Sequence, residues 1–217
     1  IYDMKILNLY AGIGGNRKLW GDDHEITAVE YNKEIAGIYA DHFPNDTVVV
    51  ADAHEYLLQH YRDFDFIWSS PPCQTHSAIR EMGVKRGLYA AKFPDMKLWQ
   101  EITFLQHFAK GKFVVENVVP YYEPYVKPTI EIERHLFWSN FRIRKAALDK
   151  VERVHKEVSA NTVLYGYDLS KYKIKHRKDT ILRNCVNPDL GLYIMEQANG
   201  VIRRESYAPG SLFSHSG

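Results

Sequence analysis

Two side chains with reactive groups stand directly after apolar runs in the first half of the chain. Cys73 follows the run Phe64–Trp68 within residues 69–77, SSPPCQTHS, a loop that two prolines stiffen. A thiol in that position can act as a nucleophile. Glu116 ends a second apolar run, where partial burial would raise the pKa of its carboxyl group and make it a proton donor. Lone cysteines are often buried structural residues and strand-end glutamates are common, so neither side chain identifies a reaction by itself.

A glycine-rich turn, residues 10–15 with the sequence YAGIGG, follows the first apolar run. Glycines there let the backbone approach a ligand closely, and a helix beginning after the turn would offer free N–H groups. Glu30 ends the next run and could receive two ribose hydroxyls, while Asp52, after the third run, could receive an adenine amino group. Together these residues predict an adenosine-containing cofactor. The alternative is that the glycines serve a tight turn and the carboxylates cap helices.

A dinucleotide is the rival of that cofactor, because a strand, a glycine-rich turn and a distant acidic residue are also typical of NAD binding. The fourth apolar run argues against NAD, since it leads into a proline-stiffened loop that carries Cys73. We therefore favour an adenosine cofactor that lies beside a nucleophile.

The elements that must position these groups follow from the alternation of short β-branched runs with amphipathic stretches. This order predicts an α/β fold with a mostly parallel sheet and helices on both faces. The predicted strands are Lys5–Tyr10, Ile26–Val29, Thr47–Ala51, Phe64–Trp68, Lys112–Glu116 and Leu136–Phe141. The predicted helices are Gly15–Trp20, Lys33–Phe43, Glu55–Tyr61, Met96–Ala109 and Asp189–Ala198.

The composition is that of a globular protein. The 217 residues are 45% apolar and 25% charged, and 28 Lys and Arg nearly balance 27 Asp and Glu. These values exclude disordered, collagen-like and multi-span membrane proteins. Cys73 and Cys185 are too few for a disulfide framework, and no apolar run approaches the ~18 residues of a membrane helix. We expect a cytoplasmic protein with no metal and no membrane contact.

The charge is unevenly distributed along the chain. Residues 142–183 hold twelve Lys and Arg against five Asp and Glu, with Tyr165, Tyr167 and Tyr172 among them. Cations interleaved with aromatic side chains suit a polyanion such as nucleic acid, for which Lys173, Lys175 and Arg177 are candidate contacts. A solvated surface face is the alternative interpretation.

Three ordered motifs resemble those of the DNA cytosine 5-methyltransferases. They are residues 8–15 (NLYAGIGG), residues 71–77 (PPCQTHS) and residues 116–118 (ENV). The resemblance covers residues 4–141 well and the remainder loosely. It implies a Rossmann-like methyltransferase, bacterial or phage-encoded, that transfers a methyl group from S-adenosylmethionine to carbon 5 of cytosine in double-stranded DNA. S-adenosylhomocysteine would be the product, and the cytosine would be rotated out of the duplex.

The same resemblance implies roles for individual residues. Cys73 would be the nucleophile that bonds carbon 6 of cytosine, and Glu116 would hydrogen-bond the ring during that attack. Gln74 and Ser77 would lie near the substrate backbone, and Arg80 would belong to a mobile segment that closes over the DNA. The cofactor would be bound by Tyr10, Gly12, Ile13, Gly14, Glu30, Asp52, Pro72 and Asn184.

The sequence departs from the family pattern in the second half. The Gln-x-Arg-x-Arg motif of the family is matched best by residues 131–134, EIER, in which Arg134 would assist Glu116, but residues 140–144, NFRIR, are a rival match. Residues 183–188, RNCVNP, resemble a late Gly-Asn-Ser-Val motif. We therefore expect a catalytic domain over residues 1–141, a short basic recognition region over 142–182, and a C-terminal segment over 183–217 that returns to the catalytic domain.

Two other functions remain open at the level of the sequence. A branch of the family methylates transfer RNA with the same motifs, so an RNA cytosine methyltransferase is one alternative. The short recognition region also suits a non-catalytic subunit of a split DNA methyltransferase. A restriction-system partner or a second subunit is thus a candidate partner beside the nucleic acid.

Overall fold

The computed structural model describes residues 3–145 and 165–201. Its strands are β1 Lys5–Leu9, β2 Glu25–Val29, β3 Thr47–Val49, β4 Phe66–Ser69, β5 Lys112–Val118, β6 Ile130–Ile132 and β7 His135–Ser139. They form one sheet in the order β3-β2-β1-β4-β5-β7-β6. The first five strands are parallel, whereas β7 runs antiparallel to β5 and β6 antiparallel to β7. The predicted mostly parallel sheet is confirmed.

The helices of the described residues are α1 Lys33–His42, α2 Ala53–His60, α3 Ala78–Lys85, α4 Lys97–Phe108, α5 Lys178–Arg183 and α6 Pro188–Ala198. Polar side chains fix several of their starts. Asn32, Asp52, Ser77 and Asn187 accept hydrogen bonds from backbone N–H groups in the first turns of α1, α2, α3 and α6. Such caps satisfy donors that have no partner within the helix.

Helices cover both faces of the sheet, as predicted. On one face, α2 and α4 pack Leu57, Ile102 and Leu105 against a core that includes Leu7 and Phe113. On the other, α6 packs Ile194 and its neighbours against β1, β4 and β5, and Tyr39 of α1 packs beside Ala28 of β2. Because β1 and β4 are buried on both faces, their sequences are continuous apolar runs rather than alternating ones.

The predicted helix Gly15–Trp20 is wrong, because these residues form successive turns. Two side chains hold the turns in place. Asn16 exchanges amide hydrogen bonds with Asn8 of β1, and the buried guanidinium of Arg17 bonds both carboxylate oxygens of Asp46. These tertiary contacts outweigh the local helical pattern.

Two segments outside the sheet also differ from expectation. The segment after the nucleophile, expected as a mobile loop, begins with helix α3. Tyr165 and Tyr167, expected among nucleic-acid contacts, are buried in a cluster with Ile13, Ile38 and other apolar side chains. Their rings are therefore part of a core and not available to a polyanion. Residues 146–164 of the basic segment, and 202–217 of the C-terminal segment, lie outside the described residues.

Among residues 3–145 and 165–201, no helix has both the length and the apolar character needed to cross a membrane.

Candidate active site

The carboxyl ends of β1, β2 and β3 bring the glycine-rich turn, Glu30 and Asp52 to one edge of the sheet. Glu30 joins two backbone segments there, since its Oε2 accepts a hydrogen bond from Gly12 N at 3.0 Å and its Oε1 accepts one from Asn32 N at 2.8 Å. Each carboxylate oxygen keeps a further lone pair. Glu30 is therefore held in place while still able to accept hydroxyl hydrogens.

Asp52 has two partners in the structure. Its Oδ1 accepts a hydrogen bond from Glu55 N at 3.1 Å, and its Oδ2 lies 3.3 Å from the ammonium of Lys97 on α4. Burial alone would raise the pKa of Asp52, but these hydrogen bonds lower it below the ordinary carboxyl value. Asp52 is thus ionised near neutral pH, and an ionised carboxylate is a strong acceptor for an amino hydrogen. The alternative of a helix cap also holds for Asp52, since it caps α2.

The residues of the glycine-rich turn differ in what they can offer a ligand. Gly12 has a φ of 55°, and nothing lies within 4 Å of the position that a Cβ would occupy, so its surface is open. Gly14 has a φ of 86°, and a Cβ at this position would lie 2.3 Å from the ring of Phe43. Packing therefore requires a glycine here. The Ile13 side chain is buried in the cluster that contains Tyr165. A role for residues 13 and 14 would therefore use the backbone.

Two exposed apolar side chains beside these carboxylates were missed by sequence reasoning. Tyr31, next to Glu30, is 79% exposed, and Val50, two residues before Asp52, is 53% exposed. An apolar surface near polar acceptors could contact a flat ring whose edge carries polar groups. Their position directly after β2 and β3 was the sequence signal that could have found them.

Cys73 lies on the loop that follows β4, half-buried. Its carbonyl accepts hydrogen bonds from the backbone N–H groups of His76 and Ser77. Burial raises the pKa of the Cys73 thiol, the charge of Glu116 raises it further, and the guanidinium of Arg134 acts in the opposite direction. The structure therefore brings the predicted nucleophile within electrostatic reach of both other predicted catalytic residues.

Glu116 is 7% exposed on β5. His135 was missed by sequence reasoning, and its Nε2 lies 3.6 Å from Glu116 Oε1. Burial lowers the pKa of His135. Asn117, the next residue of β5, donates its amide hydrogen to the Pro71 carbonyl at 2.9 Å. This bond ties the end of β5 to the loop that carries Cys73.

The antiparallel register of β7 separates the two matches for the family arginine. His135, which follows Arg134, pairs with Val118 at the carboxyl end of β5. Asn140 instead bonds Gly111 and Phe113 at the amino end of β5, so the rival match over residues 140–144 begins at the opposite edge of the sheet. Arg134 is the arginine on the side of Glu116.

Two of the three predicted nucleic-acid contacts near Cys73 line a surface cavity. The third, Gln74, is exposed, and so is Pro72, which was predicted to bind the cofactor. The Ser77 hydroxyl caps α3 by accepting a hydrogen bond from Ile79 N. Ser77 and Arg80 line a cavity of about 250 Å³ between α3 and the segment that follows it. The guanidinium of Arg80 also lies over the ring of Tyr89.

The basic segment packs beside the start of α1. Lys173, Lys175 and Arg177 are exposed, but Arg177 forms a two-point ion pair with Asp179. Lys175 N donates to Glu34 Oε2 at 3.2 Å. Arg177 and Lys175 therefore have acidic neighbours, and the exposure of the three cations fits both the nucleic-acid and the solvated-face interpretations.

The segment before α6 and the first turn of α6 lie against the glycine-rich turn and Asn16 beside it. A Cβ on Gly15 would lie 2.4 Å from the Val186 carbonyl, and one on Gly191 of α6 would lie 2.3 Å from the Asn16 carbonyl. Asn184, the residue expected to reach the cofactor, is exposed at the end of α5. Cys185 is half-buried beside Gly15, and desolvation raises the pKa of its thiol to about 12.

Comparison with known proteins gives a family match. A family model described as C-5 cytosine-specific DNA methylase matches residues 4–131. Among solved structures, a SAM-dependent methyltransferase from Agrobacterium tumefaciens is 14% identical with a TM-score of 0.41, and the match covers 57% of this chain and 41% of that one. A mutant of DNMT2 from Spodoptera frugiperda is 26% identical with a TM-score of 0.38, covering 52% of this chain and 35% of that one. The chain thus spans less than half of either protein. No curated protein matches it.

Proposed function

The chain belongs to the C-5 cytosine-specific DNA methylase family, and from that premise we propose that it transfers a methyl group from S-adenosylmethionine to carbon 5 of cytosine in double-stranded DNA. The observation that carries the proposal is the grouping of Cys73, Glu116 and Arg134. A nucleophile, an acid and a cation within electrostatic reach of one another suit covalent attack on an electron-poor ring.

The edge formed by β1, β2 and β3 fits an adenosine. S-adenosylmethionine, when bound, supplies a methyl group on a positively charged sulfur. Glu30 would accept the ribose hydroxyls with the lone pairs that Gly12 and Asn32 leave unused. Asp52 would accept the adenine amino group, and the exposed ring of Tyr31 offers a surface on which a purine can stack.

Cys73 and Glu116 divide the chemistry on the cytosine. The Cys73 thiol would give its proton to solvent and its sulfur would bond carbon 6, so that the electron pair of the 5,6 double bond moves to carbon 5. Carbon 5 would then take the methyl group, and S-adenosylhomocysteine would be released. Glu116 would hydrogen-bond the ring nitrogen and the exocyclic amine and so stabilise the added electrons, with Arg134 assisting. A base, for which solvent water suffices, would remove the carbon 5 proton, and the electrons of that bond would restore the double bond as Cys73 leaves as a thiolate.

Three regions share the remaining tasks in this proposal. Residues 1–141 form the catalytic domain and residues 142–182 form the recognition region. Residues 183–217 form a C-terminal segment that returns to the catalytic domain. Gln74, Ser77 and Arg80 contact the DNA backbone from the Cys73 side. The base must leave the duplex to reach Cys73.

The test is covalent trapping on duplex DNA that carries 5-fluorocytosine, in the presence of S-adenosylmethionine. Fluorine does not leave carbon 5 as the proton does, so the bond between Cys73 and carbon 6 persists and survives denaturation. Mass spectrometry should map the adduct to Cys73, and the Cys73→Ser variant should give none. Cys185 serves as the internal control, since its buried thiol should stay unmodified.

Different outcomes of the trapping experiment separate the competing functions. An adduct on 5-fluorocytosine transfer RNA in preference to duplex DNA would favour an RNA methyltransferase. Binding of S-adenosylhomocysteine without an adduct on either nucleic acid would favour a subunit that awaits its partner. An adduct on a residue other than Cys73 would contradict the proposed mechanism.

A further inference from the structure

A buried carboxylate below the candidate site has no role in the chemistry just described. Glu101 lies on α4 with no exposed surface, on a helix face that is otherwise apolar. Its Oε1 accepts a hydrogen bond from Tyr10 OH at 2.5 Å and lies 3.0 Å from His54 Nδ1, while its Oε2 accepts one from Ser69 Oγ at 2.7 Å. A buried carboxylate is costly unless such partners satisfy it.

Each partner of Glu101 lies in or next to a different loop of the candidate site. Tyr10 begins the glycine-rich turn after β1. His54 lies in the first turn of α2, two residues after Asp52. Ser69 ends β4 and directly precedes the loop that carries Cys73. One side chain on one helix therefore contacts residues at three separate loops.

The backbone of Tyr10 gives this contact an energetic reason. Tyr10 has a φ of 55°, a left-handed conformation that residues other than glycine rarely adopt. Such a residue persists only where its surroundings hold it. The hydrogen bond from Tyr10 OH to Glu101 holds its side chain, and the bond of Gly12 N to Glu30 holds the turn two residues later.

We propose that Glu101 is a positioning residue, which fixes the glycine-rich turn, the start of α2 and the Cys73 loop in the arrangement that binds the cofactor. The inference rests on the proposed function, because it concerns the same cofactor. Glu101 and Ser69 do not touch the ligand in this proposal. They act by removing the freedom of the loops before the cofactor arrives, which lowers the entropic cost of binding.

The experiment measures S-adenosylhomocysteine binding by calorimetry in the wild-type protein, in three single variants and in the double variant that combines Ser69→Ala with Glu101→Gln. Glu101→Gln keeps the size of the side chain but replaces an acceptor oxygen by a donor, so it disrupts the hydrogen bonds that Glu101 accepts from Tyr10 and Ser69. Ser69→Ala removes one hydroxyl. Ser139→Ala is the matched control, since its hydroxyl donates only to the Phe141 carbonyl at the end of β7. Melting temperatures are recorded in parallel.

We expect Ser69→Ala to bind the product about tenfold more weakly than wild type, the effect of one lost hydrogen bond, and Glu101→Gln to bind more weakly still. Ser139→Ala should bind as wild type does. The double variant should show no further loss beyond Glu101→Gln, because Ser69 acts through Glu101. If Glu101→Gln does not fold, Ser69→Ala carries the test alone.

Two results would overturn separate claims. Wild-type protein that does not bind S-adenosylhomocysteine would contradict the proposed function. Wild-type binding together with unchanged affinity in Ser69→Ala and Glu101→Gln, even at a lowered melting temperature, would overturn the positioning role and leave the proposed function intact.

Discussion

The Cys73 thiol is held in its protonated form by its surroundings. Burial and the charge of Glu116 both raise its pKa, so the resting side chain is a poor nucleophile and a poor target for oxidation. In the proposed mechanism a hydrogen bond to the cytosine ring would engage the carboxylate of Glu116, so a bound substrate would change its effect on the thiol. Activation of the thiol would then be coupled to the presence of the base.

The first prediction tests this coupling through the pH dependence of alkylation. Replacing Glu116 by Gln removes a negative charge, so the pKa of the Cys73 thiol should fall towards its ordinary value. Iodoacetamide should then modify Cys73 with a midpoint at lower pH than in wild type. Mass spectrometry distinguishes Cys73 from Cys185. An unchanged midpoint would mean that Glu116 does not face the thiol.

The second prediction concerns the choice between two arginines. Arg134 lies at the Glu116 side of the sheet, whereas Arg144 follows the opposite edge and bonds through its backbone to Gln197 and Tyr193. Arg134→Ala should slow 5-fluorocytosine trapping by about a hundredfold to a thousandfold, as the loss of one stabilising donor does. Arg144→Ala should trap at the wild-type rate. The reverse pattern would assign the family motif to residues 140–144.

At the scale of the elements, the turn after β1 is shaped by packing as much as by any ligand. Gly14 has a left-handed backbone against Phe43 and Tyr39, while Gly12 has a left-handed backbone facing open space. Two glycines in one motif therefore serve different purposes.

The third prediction separates those purposes by urea unfolding. Gly14→Ala combines strain with a clash, and should lower the free energy of unfolding by about 3 kcal/mol. Gly12→Ala carries the strain alone and should cost about 1 kcal/mol. Equal losses in the two variants would show that the ring of Phe43 moves aside at no cost.

The elements of the sheet could be predicted because their signals are local. Apolar runs predicted β1, β4 and β5 to within two residues at each end. Helical spacing predicted α4 to within one residue at each end. The turns over residues 15–20 could not be predicted, since they depend on a buried ion pair between Arg17 and Asp46, 29 positions apart.

The candidate site shows the same division between local and tertiary signals. Cys73 and Glu116 were predicted from ordered motifs, whereas Arg134 was predicted from a partial match that had a rival over residues 140–144. Glu101 and His135 were not, because their significance lies in partners that only the packed sheet brings near. Tyr165 and Tyr167 looked like surface aromatic residues among cations and are core residues instead.

At the scale of the whole molecule, the fourth prediction asks whether the basic segment binds a polyanion. Replacing Lys173 and Lys175 together by Ala should weaken DNA binding, and should reduce the slope of log affinity against log salt by up to about 2, one for each lost phosphate contact. Fluorescence anisotropy across a salt series measures both quantities. An unchanged slope would favour the solvated-face interpretation.

The contact between the glycine-rich turn and the segment around Gly191 has a consequence for synthesis. The turn and Asn16 beside it are made before Val186 and Gly191, which pack against them and follow more than 170 residues later. Contacts so distant in sequence form slowly, because the entropic cost of closing a long loop comes before the contacts can stabilise the fold. On the ribosome, the sheet from β1 to β5 can assemble while the cofactor edge still lacks its support. Cofactor binding should therefore appear as one of the last events of folding, after the strands have already paired.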